Sequence, residues 1–246
     1  RDHFQSSRKV SQNGNRVRPK NEKSTSQHQG CSIKMARIAI VDYGGSNLKS
    51  VYKALESVSD KKSDIFVSSK IKEIASSDKI VFPGQGAIGD CMNQLNETGL
   101  GEKIRQLCES KPFLGICLGL QSLMSKSEED NGTNCLNLIK GKVKRFQKPI
   151  NFSEESFCKI PHMGWNNVHW EKKHPLIAGI PSGTRFYFVH SYFVEPENRK
   201  FIVGKTNYLG AFASSIGCEN IFATQFHPEK SSSAGLQLLA NFVEWD

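Results

Sequence analysis

Long apolar runs are missing from this 246-residue sequence. No stretch reaches about 18 consecutive apolar residues, the length at which a helix can span a bilayer. The first residues also lack the positive charge followed by an apolar segment that marks a secretory signal. The chain is 37% hydrophobic and 23% charged, which is typical of a globular protein with a sizeable core. We therefore expect a soluble, cytoplasmic protein with no membrane segment.

Closely spaced cysteine pairs are also missing. The sequence contains Cys31, Cys91, Cys108, Cys117, Cys135, Cys158 and Cys218. This spacing excludes a CxxC redox motif and a paired set of zinc ligands. An odd number of cysteines without a secretion signal indicates free thiols in a reducing cytosol. We expect neither a metal ion nor a cofactor.

Acidic residues are scarce near the N-terminus. Residues 1–34 hold eight lysines and arginines but only two acids, so they carry six of the nine net positive charges. The basicity therefore belongs mostly to this segment and not to a folded surface, and we expect no nucleic-acid partner. Few apolar residues occur here, which predicts a disordered basic extension over 1–34. We interpret it as sequence upstream of a natural start at Met35; a transit segment is the alternative.

From Met35 onward, strand and helix patterns alternate. Strands are predicted at Ala36–Val41, 65–67, 80–82 and 113–116, and helices at 46–57, 87–96, 101–111 and 119–125. The second half is richer in strands, predicted at 142–146, 186–189, 201–205, 211–214 and 221–225, and ends in a helix over 233–245. This order predicts one α/β domain over 35–246. Its sheet should be mostly parallel, with helices on both faces and a mixed β extension.

Cys117 is the candidate nucleophile. It lies between Gly115 and Gly119, after a predicted strand and before a predicted helix, in the G-x-C-x-G version of a nucleophile elbow. The tight turn needs small neighbours, and the helix that follows favours a thiolate. Cys91 and Cys108 fall inside helical patterns, where we expect ordinary buried core residues.

The segment around His227 supplies a candidate base. Pro228 favours an extended His227, so Gln225, His227 and Glu229 can project to one side. A carboxylate two residues from the imidazole can accept its N–H and fix its tautomer. His190 and His162 are rival bases, but neither has a nearby carboxylate in the sequence.

Residues 83–89 contain a literal G-x-G-x-x-G after a strand, which alone would favour a dinucleotide site. The strand that follows ends at Cys117, however, and not at the acid that such a site requires. Glycine-flanked peptides at a strand end can also direct N–H groups at an oxyanion. We interpret this loop as half of an oxyanion hole, with the Leu118 N–H as the other half.

Together these segments resemble the class I (triad) glutamine amidotransferases. The stretches 161–166 (PHMGWN) and 186–192 (FYFVHSY) narrow the resemblance to the glutaminase subunits of imidazole glycerol phosphate synthases. The resemblance covers residues 35–246 and implies a flavodoxin-like fold. It also implies that ammonia from L-glutamine passes to a (β/α)₈ cyclase subunit in a heterodimer, forming imidazole glycerol phosphate and the aminoimidazole carboxamide ribotide of histidine biosynthesis.

The resemblance also implies a role for individual residues. Cys117, His227 and Glu229 match the catalytic triad, and Gly86 and Leu118 match the oxyanion hole. Gln121, Ser191 and Tyr192 match residues that hold glutamine, while Trp165, Asn166 and Lys230 match positions near the partner interface. The alternatives are an ammonia-supplying paralogue in a sugar pathway, a stand-alone γ-glutamyl hydrolase or cysteine peptidase, and a non-catalytic binding module.

Overall fold

The computed structural model describes residues 35–45, 47–61, 63–148 and 159–246. The extension predicted over 1–34 lies outside the described residues. In these ranges the strands are β1 Ala36–Val41, β2 Ser63–Ser68, β3 Lys79–Gly84, β4 Phe113–Cys117, β5 Lys126–Ser127, β6 Thr133–Asn134, β7 Gly141–Arg145, β8 His162–Trp170, β9 Thr184–His190, β10 Tyr192–Pro196, β11 Ile202–Asn207, β12 Ala211–Cys218 and β13 Ile221–Thr224. The α-helices are α1 Leu48–Val58, α2 Ile71–Ala75, α3 Ile88–Glu97, α4 Leu100–Cys108, α5 Leu118–Gln121 and α6 Ser232–Glu244.

Five parallel strands form the centre of the sheet in the order β2-β1-β3-β4-β13. This is the strand order of flavodoxin-like folds, in which ligands bind beyond the carboxyl ends of the strands. β3 ends at Gly84 and β4 at Cys117, and these two residues are paired in register. The carboxyl ends of β3, β4 and β13 therefore bring the glycine loop, the elbow and the segment 225–229 to one edge.

Helices cover both faces of the parallel sheet. On one face α2, α3 and α4 bury residues such as Ile74, Leu95 and Ile104 against the strands. On the other face α1 and α6 bury Leu55 and Phe242 in a second cluster. The amphipathic spacing of α1 explains this placement, because Val51, Ala54 and Leu55 share its buried side.

Antiparallel strands extend the sheet beyond β13. β12 pairs with β13, β10 pairs with β12 and β7 pairs with β10. β11 pairs with both β12 and β8, and β8 also pairs with β9. The aromatic side chains of β9 that point inward, Phe186 and Phe188, join the cluster beneath α1 and α6. The predicted mixed extension is therefore confirmed.

Five elements of this fold escaped prediction, namely α2, β5, β6, β8 and β10. β8 contains Gly164, Asn166 and Asn167, which obscure its alternation in the sequence, although more and less exposed residues do alternate along it. The helix predicted over 119–125 is shorter than expected and ends at Gln121. In the described ranges no helix is long and apolar enough to cross a membrane.

Candidate active site

Cys117 lies in a strained turn between β4 and α5. Its backbone has φ +55° and ψ −105°, a conformation that side-chain-bearing residues rarely adopt. A Cβ on Gly119 would lie 1.9 Å from the carbonyl oxygen of Phe82. A Cβ on Gly115 would lie 3.0 Å from the Cβ of Ala223. Only glycine on either side lets the chain turn this closely against its neighbouring strands, as the G-x-C-x-G pattern predicts.

His227 and Glu229 form a buried pair. Nδ1 of His227 lies 2.8 Å from Oε1 of Glu229, and both side chains are almost fully buried. The backbone holds the pair against β9, because the His227 N–H donates to the carbonyl of Tyr187 at 2.9 Å. Nε2 of His227 has no hydrogen-bond partner among the described residues. Glu229 therefore orients the ring, and the other ring nitrogen is left for the reacting groups.

The charge state of His227 follows from its neighbours. Burial lowers the pKa of the imidazole, but the interactions with Cys117 and then with Glu229 outweigh burial and raise the pKa above its usual value. An imidazolium beside the sulfur is what a leaving amine needs as a proton donor. The pair can therefore act as nucleophile and general acid.

His190, the rival base, is excluded by its surroundings. Its Nδ1 lies 2.8 Å from the carbonyl oxygen of Tyr192, and its Nε2 lies 2.9 Å from Nδ1 of His162. Burial lowers the pKa of His190 to about 3, so the ring is neutral at physiological pH. Both of its nitrogens are occupied, and within the described ranges no carboxylate is bound to it.

Cys91, Cys108 and Cys135 have ordinary core environments, whereas Cys218 is only partly buried. Burial raises the pKa of Cys91 and of Cys108 to about 12, and that of Cys135 to about 11. Thiols with such raised pKa values are poor nucleophiles. The expectation of core roles for Cys91 and Cys108 is confirmed, whereas Cys31 and Cys158 lie outside the described residues.

One cavity of about 390 Å³ joins these groups, within the usual range for small-ligand sites. Its walls include Gly86, Cys117, Leu118, Gln121, Ser191, Tyr192, His227 and Lys230. The residues singled out for nucleophile, base, oxyanion hole and substrate are thus brought to one place. Gln85 and Gly86 of the glycine loop also line this cavity.

Comparisons with known proteins agree with this geometry. A family model described as glutamine amidotransferase class-I matches residues 39–245. The chain belongs to the class-I glutamine amidotransferases. The family and the fold that the sequence motifs predicted are therefore confirmed for this amidotransferase.

Curated relatives of this amidotransferase carry a narrower name. Imidazole glycerol phosphate synthase subunit HisH of Nitrosococcus oceani is 48% identical over 212 residues, which cover 86% of this chain and 99% of the relative. The protein of the same name from Thiobacillus denitrificans is 50% identical over 210 residues, with 85% and 91% covered.

Solved structures share the fold at lower identity. A putative GMP synthase component from Thermoplasma acidophilum has a TM-score of 0.63 at 20% identity, and the match covers 85% of this chain and 93% of the other. A glutamine amidotransferase from Thermotoga maritima has a TM-score of 0.56 at 17% identity, with 79% and 76% covered.

Two polar residues of the amidotransferase site were assigned no role from the sequence. Gln225 is fully buried, and its Nε2 lies 3.6 Å from the sulfur of Cys117. Glu129 lines the cavity, and its Oε2 accepts the N–H of Ile88 at 3.1 Å. The one-sided spacing of residues 225, 227 and 229 pointed to Gln225, but nothing local marked Glu129, which a short 3₁₀ turn brings in from outside the motifs.

Two of the three residues expected near a partner, Trp165 and Lys230, lie beside the mouth of the cavity. Trp165 is 43% exposed, and its ring meets Tyr187 edge-on at 6.3 Å between centroids. Nζ of Lys230 lies 6.0 Å from the Tyr187 ring centroid, and both residues line the cavity. Asn166 is different, because its side chain lies on the other face of β8 and its Nδ2 lies 3.2 Å from Nε2 of His162.

Proposed function

We propose that this chain is the glutaminase subunit of an imidazole glycerol phosphate synthase, active in the cytoplasm as one half of a heterodimer. The observation that carries the proposal is the meeting of Cys117 and His227 in one cavity, with Glu229 bound to the His227 ring, in a chain nearly half identical to proteins of that name. The reaction is hydrolysis of L-glutamine to glutamate and ammonia, without a cofactor or metal ion.

The first half of the reaction is attack on the glutamine side chain. The Cys117 thiolate adds to the carboxamide carbon, forming a C–S bond and a tetrahedral oxyanion. The oxyanion collapses and the C–N bond breaks while the His227 imidazolium donates its proton to the departing nitrogen. Ammonia leaves, and a γ-glutamyl thioester remains on Cys117.

The second half returns the enzyme to its starting state. Neutral His227 takes a proton from water, and the resulting hydroxide adds to the thioester carbon. The C–S bond breaks, glutamate leaves and the thiolate is restored beside the imidazolium. Glu229 holds the ring in one tautomer through both halves, since it accepts from Nδ1.

The N–H groups of Gly86 and Leu118 are proposed to form the oxyanion hole. Both residues line the cavity beside Cys117. Gly86 has φ +93°, which a side chain would strain, and open space surrounds it. The adjacent N–H of Gln85 is engaged elsewhere, because it donates to the Tyr43 hydroxyl at 3.2 Å. One such donor typically contributes about 10²–10³-fold in rate.

Four residues of the cavity are proposed to hold glutamine. Gln121, Ser191 and Tyr192 offer amide and hydroxyl groups along one wall. Glu129 adds a carboxylate, the group that best matches the α-ammonium of an amino acid. A free amino acid is thereby distinguished from a side chain within a peptide, which favours glutaminase activity over peptidase activity.

Ammonia in bulk water is mostly protonated and does not attack an acceptor. The product is therefore useful only if a partner receives it at the cavity mouth. Met163 is 63% exposed and Trp165 is 43% exposed on the face of β8 that borders this mouth. Large exposed side chains of this kind anchor protein interfaces. We assign this face, with Lys230, to the (β/α)₈ cyclase subunit.

The assay for this proposal is glutamate release by the purified chain, alone and with the cyclase plus its ribonucleotide substrate. Strong stimulation by the loaded cyclase is expected. Trp165→Ala should weaken cyclase binding by about tenfold or more, whereas Leu236→Ala, at another exposed apolar position on α6, should not. Full activity of the chain alone, with no response to the cyclase, would contradict the proposal and favour a stand-alone hydrolase.

A further inference from the structure

Two buried histidines lie beside the active site without a role in the chemistry above. His162 and His190 face each other across the paired strands β8 and β9. Each is at most 6% exposed, and Nδ1 of His162 lies 2.9 Å from Nε2 of His190. The His162 ring is stacked between Phe188 and Tyr208. These contacts leave the rings little freedom to rotate.

Asn166, His162 and His190 form a chain of hydrogen bonds that we call the histidine relay. The hydrogen bonds at its Asn166 end, the outer end, determine which atom donates and which accepts along the relay. Oδ1 of Asn166 accepts the N–H of Asn167 at 2.8 Å, so its Nδ2 is the group that faces His162. An amide nitrogen can only donate, and Nε2 of His162 must therefore accept. The proton of His162 is then on Nδ1 and points at His190.

The hydrogen bond at the His190 end of the relay, the inner end, requires the same order of donors and acceptors. Nδ1 of His190 lies 2.8 Å from the carbonyl oxygen of Tyr192, which can only accept. His190 therefore carries its proton on Nδ1 and accepts at Nε2 from His162. The two ends agree on a single arrangement in which both rings are neutral. A second proton on either ring would place two donors against each other.

Two glutamine amides, those of Gln121 and Gln225, connect the histidine relay to the nucleophile. Nε2 of Gln121 donates to the same Tyr192 carbonyl at 3.0 Å and to Oε1 of Gln225 at 3.2 Å. Nε2 of Gln225 then lies 3.6 Å from the sulfur of Cys117. Every polar group between Asn166 and the sulfur is thus committed to one orientation.

We propose that His162 and His190 are positioning residues of the glutaminase site, which hold the Tyr192 carbonyl and through it the Gln121 and Gln225 amides in the orientation that directs an N–H at Cys117. This inference rests on the proposed function. Asn166, at the outer end of the relay, lies on the strand that carries Trp165, so the relay runs from the proposed cyclase-binding strand to the sulfur.

The first test is the tautomer of each ring, read by ¹⁵N NMR of the purified chain without glutamine or cyclase. Both rings are expected as the Nδ1–H form, which is the minor tautomer of free histidine. Asn166→Asp keeps the shape and the acceptor for Asn167 but removes the donor to His162. This variant should shift His162 away from the Nδ1–H form. Nε2–H rings in the wild type would overturn the proposal.

The second test is kcat/KM for glutamine with saturating loaded cyclase. His162→Phe keeps the stacked ring but breaks the relay, and should lower kcat/KM by about three- to tenfold, the effect of one net hydrogen bond. His162→Asn keeps a donor near Nδ1 and should restore most of the loss. His174→Phe, at a histidine outside the relay that packs on Phe222, should leave kcat/KM unchanged.

The outcomes separate the two proposals. A wild type that has Nδ1–H tautomers but no glutaminase activity contradicts the proposed function and leaves the relay geometry standing. Wild-type activity in His162→Phe, or equal losses in His162→Phe and His162→Asn, overturns the relay. If His162→Phe does not fold, Asn166→Asp provides the same kcat/KM comparison at a half-exposed position.

Discussion

Nδ1 of His227 and Oε1 of Glu229 are 2.8 Å apart in a site where both side chains are almost fully buried. The carboxylate lies two residues along the chain and Pro228 is between them, so the pair is set by local backbone geometry. As a result, Nδ1 of His227 is bound to Glu229, while Nε2, which has no partner among the described residues, can interact with substrate and with the Cys117 sulfur.

Replacing Glu229 should slow glutamine hydrolysis but leave measurable activity. Glu229→Ala leaves His227 in place but without its orienting acceptor, and we expect about 10²-fold more residual kcat than Cys117→Ala retains, as for orienting members of other triads. The comparison is made by glutamate release from both variants with loaded cyclase. Equal loss in the two variants would mean that Glu229 does more than orient the ring.

Removing the charge of Glu129 should affect glutamine binding more than turnover. Glu129→Gln should raise KM for glutamine by about tenfold or more, the effect of a lost charge-assisted hydrogen bond, with kcat within about twofold of wild type. Glu128→Gln is the matched control, since the exposed Glu128 accepts the N–H of Arg145 and is not part of the cavity wall. An unchanged KM in Glu129→Gln would remove Glu129 from the binding site.

Replacing Gln225 by its carboxylate counterpart should impair the nucleophile. Gln225→Glu keeps the shape but substitutes a negative oxygen for the N–H that faces Cys117, so we expect kcat/KM to fall by about tenfold or more. Gln237→Glu on α6, where the side chain meets Asn241 at the surface, serves as the control. Activity at the wild-type level in Gln225→Glu would show that this contact does not support catalysis.

Buried neutral histidines should make the fold sensitive to acid. Burial lowers the pKa of His190 to about 3 and the pKa values of His162 and His174 to about 4. The unfolded chain takes up protons on these rings below about pH 6.5, whereas the folded chain does not, so the free energy of unfolding falls as pH drops from about 6.5 towards 4.

Urea denaturation across this pH window measures the effect. His174→Asn keeps an acceptor for the Leu176 N–H that His174 now binds but removes one titrating group. Its free energy of unfolding should therefore fall less steeply with decreasing pH than that of the wild type. Parallel slopes in the two proteins would show that His174 ionises equally in the folded and unfolded states.

The sequence predicted the parts of the site that follow from local geometry. The elbow needs glycine at 115 and 119 because Cβ atoms there would collide with neighbouring strands. The five residues 115–119 are therefore enough to predict the turn. The pairing of His227 with Glu229 is equally local. The sheet centre was predictable as well, since its strands are continuous apolar runs between amphipathic helices.

Features made by distant residues were not predictable in this way. His162 meets His190 only because β8 and β9 pair in one register, and β8 itself was missed. The rival-base interpretation of these histidines was reasonable from the sequence, and it is excluded by their burial and by the hydrogen bonds that occupy their ring nitrogens. Glu129 enters the cavity through a short turn whose position depends on the N-terminus of α3.

The role of Cys117 as the nucleophile is tested most directly by trapping it with an electrophilic diazoketone analogue of glutamine. The complex with loaded cyclase is treated, digested and mapped by mass spectrometry. We predict a single adduct on the peptide that contains Cys117, formed in step with the loss of glutaminase activity and absent from Cys117→Ser. An adduct on another residue, or glutaminase activity that persists in Cys117→Ser, would contradict this role.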